Sequence, residues 1–174
     1  MRRTLDALYS ISGGLAAMFI CMICLLVCTQ VVLNVIAKIG IFGLSPTIPS
    51  YADFAGYFLA ASSFLALSYT LQKGGHIRVT LLTGVTGDRV RFGLEIFVLA
   101  ICAATAIFAA RYMAKLTMDS WEFGDVSSGI VAIPLFVPQA VMLLGLVIFA
   151  VALVDLLVQT IRARRPVIEN ASTE

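Results

Sequence analysis

The stretch ISGGLAAMFICMICLLVCTQVVLNVI, Ile11–Ile36, carries no charged side chain; the nearest charges are Asp6 and Lys38. A bilayer hydrocarbon core about 30 Å thick is crossed by about 20 apolar residues in a helix. A secretory h-region runs only about 7–15 residues and ends at a small-residue cleavage site. The run is too long for that, so Met1-Arg2-Arg3 and the apolar residues after it read as the start of an uncleaved membrane helix. Inside lipid no water pairs the backbone, so a crossing segment of this kind must be helical.

Three more stretches qualify: Phe54–Leu71, a span centred on Ile96–Ala110, and Pro134–Val154 or slightly beyond. The third is short unless its flanks join it. Arg111 and Lys115 snorkel toward one interface, and Asp88, Arg89 and Arg91 toward the other. The composition agrees: 60% of the 174 residues are hydrophobic and 13% charged, against roughly 25% charged in a soluble domain. The expectation is an all-α integral membrane protein with four transmembrane helices, about 11–36, 54–71, 88–118 and 134–161. They form one domain over residues 1–165, and 166–174 is a disordered cytoplasmic tail.

Charge sets the orientation. Arg2 and Arg3, then Lys73, Arg78, Arg89 and Arg91, then Arg162, Arg164 and Arg165 fall on one side; Lys38, Arg111 and Lys115 fall on the other. The positive-inside rule places the first set, with both termini, in the cytoplasm. The outer segment Lys38–Asp53 is turn-rich, with Gly40, Gly43, Pro46 and Pro49. The other, Thr117–Ile133, is acidic through Asp119, Glu122 and Asp125. Leu5, Leu8 and Tyr9 share a face, a pattern that allows a short helix in the membrane plane over the first residues; Val79–Val85 allows the same.

Candidate chemistry is sparse. Cys21, Cys24 and Cys28 share a helical face, but the helical rise sets the outer two roughly 10 Å apart, too far for one compact metal site. They read as small apolar thiols packed inside the bundle, together with Cys102. His76 is the only histidine, so a bis-histidine haem is excluded within one chain. No catalytic residue, cofactor or metal site is expected. The small arginine cluster, on a net charge of +2, reads as a topology signal rather than a nucleic-acid patch.

Intramembrane ionisable residues mark ion or substrate pathways; only Glu95 and Asp155 qualify, both near the cytoplasmic ends. Gln30 and Asn34, one turn apart, either bond to a partner helix, the commoner role for such residues, or line a path. Small residues recur at helical spacing in Ala52, Gly56 and Ala60, in Gly13 and Ala17, and in Ala100 and Ala104. Such ladders let helix backbones approach closely, within the chain or against a partner. No inverted repeat is visible, which favours an accessory role over a self-sufficient carrier. A four-helix membrane enzyme or redox anchor and a stand-alone carrier are the alternatives.

Three motifs resemble a known family. Gly74-Gly75-His76-Ile77-Arg78-Val79 looks like the His-Ile-Arg-Val signature of the small membrane subunit (DctQ-type) of tripartite ATP-independent periplasmic (TRAP) transporters. Ser50-Tyr51-Ala52-Asp53-Phe54-Ala55-Gly56-Tyr57 resembles the start of that family's second helix. Ile133-Pro134-Leu135-Phe136-Val137-Pro138-Gln139, with Gly145, resembles the start of its fourth. The likeness covers roughly Ile11–Leu157. It departs at Asn34, near which many members carry arginine, and at Asp53, where glutamate is commoner.

The resemblance implies a bacterial inner-membrane scaffold packed against a large many-helix subunit. That subunit is expected to hold the solute, often an organic acid, and coupling sodium ions, and to move as an elevator. A periplasmic binding protein delivers the solute. On this reading Asp53, Gly56, Ala60, His76, Arg78, Asn34 and Gln30 meet a partner or lipid, with Arg78 suited to a phosphate or carboxylate. Asp119, Glu122 and Asp125 meet the binding protein.

Overall fold

A computed structural model describes residues 2–39, 47–73 and 88–163. They form four helices: α1 (Arg2–Ile39), α2 (Tyr51–Gln72), α3 (Asp88–Phe123) and α4 (Phe136–Ala163). Each is long and apolar enough to cross a membrane, and there is no strand among the described residues. His76, Arg78, Val79–Val85 and the tail lie outside the described residues.

The helices differ in length for a reason visible in their ends. With 22 residues, α2 spans about 33 Å, close to the hydrocarbon thickness. With 38 and 36 residues, α1 and α3 reach about 57 and 54 Å, so each must tilt or project. The separate interfacial helix allowed for the first residues is not present. Arg2–Ser10 are the opening turns of α1 itself, because Tyr9 is drawn into the core, with 0% exposure.

In space the order is α1–α2–α4–α3. α1 packs along α2, α2 along α4 and α4 along α3, while α1 touches α4 only lightly. The result is a row with α1 and α3 at its edges. At the seam between α4 and α3, Leu99, Ala103 and Ala106 join Ile148, Ala152 and Leu156 in the core. The alanines keep the backbones close, which in lipid is the main source of attraction between helices.

Three helices meet at Leu65 of α2, which is 1% exposed. From α1, Ser12 Oγ donates to the Leu65 carbonyl at 2.6 Å. From α4, Gly145 lies so close that a Cβ there would stand 2.6 Å from the Phe64 carbonyl carbon and 2.8 Å from the Leu65 nitrogen. One turn further along the α1–α2 seam, the Tyr9 and Ser68 hydroxyls are buried with no hydrogen-bond partner. An unpaired buried hydroxyl is a net cost. Tyr9→Phe is therefore expected to raise stability by about 1 kcal/mol, read as a higher melting temperature in detergent; a clear drop would reveal a partner for the hydroxyl.

The cysteines are placed against expectation. Cys21, Cys24, Cys28 and Cys102 are all exposed rather than packed inside. Helical geometry explains the first three. The buried α1 residues Tyr9, Ser12, Ala16 and Gln30 share one side of the helix, and the cysteine stripe lies about 130° around from it.

Candidate functional site

The polar side chains at the end of the bundle where α2 and α4 begin tie the chain to itself. Gln30, 4% exposed, accepts from the Ile48 backbone N–H at 2.9 Å through Oε1. Its Nε2 donates to Asn34 Oδ1 at 2.9 Å and Thr47 Oγ1 at 3.2 Å. The amide thus pins the chain returning toward α2.

Ser50 then turns that chain into α2 from the left-handed region, with φ of 56°. Its carbonyl accepts from the Asp53 and Phe54 N–H groups at 3.0 and 3.1 Å. Its Oγ accepts from the Val131 N–H at 3.0 Å. This last bond crosses to the α3–α4 connection and offsets part of the strain, about 1–3 kcal/mol, of a non-glycine residue in that conformation.

The α3–α4 connection has its own skeleton. It leaves α3 at Gly124, where φ of 67° suits glycine. The Asp125 N–H returns to the Ser120 carbonyl at 3.1 Å, and the Leu135 N–H to the Asp125 carbonyl at 2.9 Å. Val126 and Pro134 form an isolated antiparallel bridge. Ser127 closes the interior: its N–H donates to the Ile133 carbonyl at 2.8 Å. Its hydroxyl donates to the Val131 carbonyl at 3.1 Å and accepts from the Ile133 N–H at 3.0 Å. Gly129 sits directly against Ser50 Oγ and the Asp53 carboxylate, with no room for a Cβ. At the base of the connection Trp121 packs edge-on against Phe136, ring centroids 4.5 Å apart. Outward from this clasp Glu122, Asp125 and the apolar Phe123, Val126 and Ile130 are exposed, with Asp119 half-buried.

The small-residue ladders divide between two uses. Gly13 is spent internally, because a Cβ there would meet the Tyr69 ring at 2.7 Å. Ala52 and Gly56 face outward with Leu59 and Ser63, one continuous line along α2, and nothing lies within 4 Å of a Cβ at Gly56. Ala60 is half-buried, and Ala100 and Ala104 face outward on α3. On α1 a second outward stripe runs through Gly14, Ala17, Cys21, Cys24 and Cys28.

At the opposite end of the bundle the ionisable groups also find local company. Gln72 Nε2 donates to Asp6 Oδ1 at 3.1 Å, joining α2 to α1. Gln159 Nε2 donates to Asp155 Oδ2 at 2.7 Å. Lys73 Nζ stands 5.7 Å from the centre of the Tyr69 ring. Among the described residues no three His, Cys, Asp or Glu side chains converge on a point. The arrangement offers surfaces for other proteins and for lipid.

Residues 23–163 match the family described as "Tripartite ATP-independent periplasmic transporters, DctQ component". The chain belongs to this family. It is thus a DctQ-type small membrane component of a TRAP transporter, a multi-pass protein of the bacterial inner membrane and not an enzyme. Members of the DctQ family function with a large TRAP membrane subunit and a periplasmic binding protein. No curated protein and no solved structure matches the chain significantly.

Set beside the DctQ assignment, the sequence-predicted residues part company. Asp53 and Gln30 are turned into the clasp and the α1–α2 connection, and Asn34 bonds Gln30. Gly56 is open. Ser50, Gly129 and Ile130 escaped sequence reasoning, although Ser50 opens one of the family-like motifs and Gly129 comes after two serines in a turn-forming run.

Proposed function

We propose that this chain is the static scaffold of a sodium-coupled, binding-protein-dependent TRAP transporter for organic acids or related solutes. It has both termini in the cytoplasm and holds a large elevator-type transport subunit in place. The outward line Ala52–Gly56–Leu59–Ser63, small at every position but Leu59, carries the reading. Lipid has no need of small side chains, whereas a partner helix gains close contact from them. Intramembrane polar groups such as Gln30 and Asp155 are engaged within the chain, so ion and solute sites fall to the partner. Arg78 and His76 serve the cytoplasmic edge, toward lipid phosphate or the partner's loops.

Affinity purification from native membranes, then reconstitution, tests the proposal. One large many-helix subunit is expected at equal stoichiometry. Uptake is expected to need both membrane subunits, the binding protein and a sodium gradient. Recovery of the chain alone, or uptake indifferent to sodium, would count against it.

The acidic outer surface is the docking side for the binding protein. Neutralising it as Asp119→Asn, Glu122→Gln and Asp125→Asn together is expected to raise the binding-protein concentration for half-maximal uptake several-fold. The salt dependence of docking should fall with it, because exposed charge pairs are screened by ions. An unchanged titration in assembled transporter removes the acidic surface from the docking role.

A further inference from the structure

We infer that Ile130 is an apolar anchor, held out by the clasp for a soluble protein with an apolar recess and a basic rim. The inference rests on the proposal that this end of the chain meets the binding protein. Ile130 is 86% exposed, more than any other large hydrophobic side chain described. Its exposure is imposed from both sides. Gly129 is seated against Ser50 and Asp53. The Val131 N–H is bonded to Ser50 Oγ at 3.0 Å, and the Val131 carbonyl accepts from the Ser127 hydroxyl at 3.1 Å. A free loop would fold such a side chain back onto neighbouring apolar surface; this one is pinned at the residues before and after it.

The surroundings select the kind of partner. Val126 in the same connection and Phe123 at the end of α3 are 54% and 79% exposed. Glu122 and Asp125 are exposed where the chain leaves α3 for that connection. From Leu116 to Ile161 the sequence contains no lysine, arginine or histidine, and Lys115 lies one turn back along α3 from Asp119, so Glu122 and Asp125 leave the connection itself net negative. A bilayer surface bearing anionic lipid repels such a connection. A protein face with lysines or arginines around a hydrophobic recess attracts it, charge steering the encounter and the buried apolar side chain slowing release.

The test uses this chain with its large subunit in proteoliposomes, titrated with purified binding protein. Ile130→Ser is expected to raise the concentration for half-maximal uptake about tenfold while leaving the maximal rate unchanged. Ile130→Leu should restore wild-type behaviour. The triple neutralised variant separates the two ideas. If it shifts the titration and Ile130→Ser does not, the anchor is wrong and acidic docking stands. If neither shifts it in an assembled transporter, docking on this surface fails and the anchor with it. A lowered maximal rate with unchanged half-saturation assigns Ile130 to the large subunit. A shift that tracks the anionic lipid content of the vesicles assigns it to the bilayer. Either result overturns the inference.

Discussion

Gly145→Leu is expected to separate the two halves of the row, costing about 3 kcal/mol. The seam between α2 and α4 joins the α1–α2 pair to the α4–α3 pair, since α1 and α4 touch only lightly. At that seam the obstruction would be backbone: the Phe64 carbonyl and the Leu65 nitrogen stand within 2.8 Å of a Cβ at position 145. A flexible side chain could swing away, but a helix backbone must move as a whole. The displacement would also pull Leu65 from Ser12, whose hydroxyl bonds the Leu65 carbonyl. In water the hydrophobic effect would press the halves together again. In lipid the tails compete equally for apolar surface, so close packing once broken is not recovered. Thermal or SDS unfolding in detergent reads the loss, and a cysteine pair bridging α2 and α4 should lose its cross-link. Gly14→Ala is the control. It meets nothing within 4 Å, and removing a glycine from a helix stabilises it by up to about 1 kcal/mol. A Gly145→Leu protein as stable as wild type would refute the seam.

The same absence of hydrophobic contrast explains which parts of the structure the sequence disclosed. Span existence depends on lipid against water, and the charge-free run at Ile11–Ile36 made that unmistakable. Helix ends depend on where the backbone stops pairing, which charge does not mark; α1 starts at Arg2 and α3 continues to Phe123. Helix facing was less legible still. The spacing of Cys21, Cys24 and Cys28 puts them on one face, but an apolar face suits lipid as well as a protein interior. Their exposure emerged only from the packing of Tyr9, Ser12 and Ala16.

Polar residues behave differently because lipid cannot satisfy them. Gln30 was conspicuous in its apolar surroundings, but its partners at Thr47 and Ile48 come from a connection whose return path the sequence does not specify. The clasp is harder again. It depends on one serine hydroxyl, one glycine and one serine-centred turn drawn from two distant loops. None of those residue types is unusual in a loop, and only their convergence gives Ile130 its position.

Gly56→Leu is expected to weaken assembly about tenfold or more while leaving the isolated chain folded, the opposite pattern from Gly145→Leu. Within this chain nothing lies within 4 Å of a Cβ at Gly56, so the larger side chain meets no resistance and helix propensity improves by up to about 1 kcal/mol. Against a helix of the large subunit seated along Ala52, Gly56, Leu59 and Ser63, the same side chain would hold the backbones apart. Overpacking a tight seam costs about 1–3 kcal/mol, and prising the two helices apart along the rest of the line adds to it. The large subunit recovered by pull-down should therefore fall about tenfold or more, with the melting temperature of the chain alone undiminished. Ala104→Leu, on the outward ladder of α3 at the row's edge, provides the comparison. Loss of assembly at Gly56 alone would place the partner against α2. Loss at Ala104 alone would move it to the α3 edge. If neither substitution reduces recovery, the Gly14–Ala17–Cys21–Cys24–Cys28 stripe of α1 becomes the seat, because it is the other outward line where small side chains let a second helix come close.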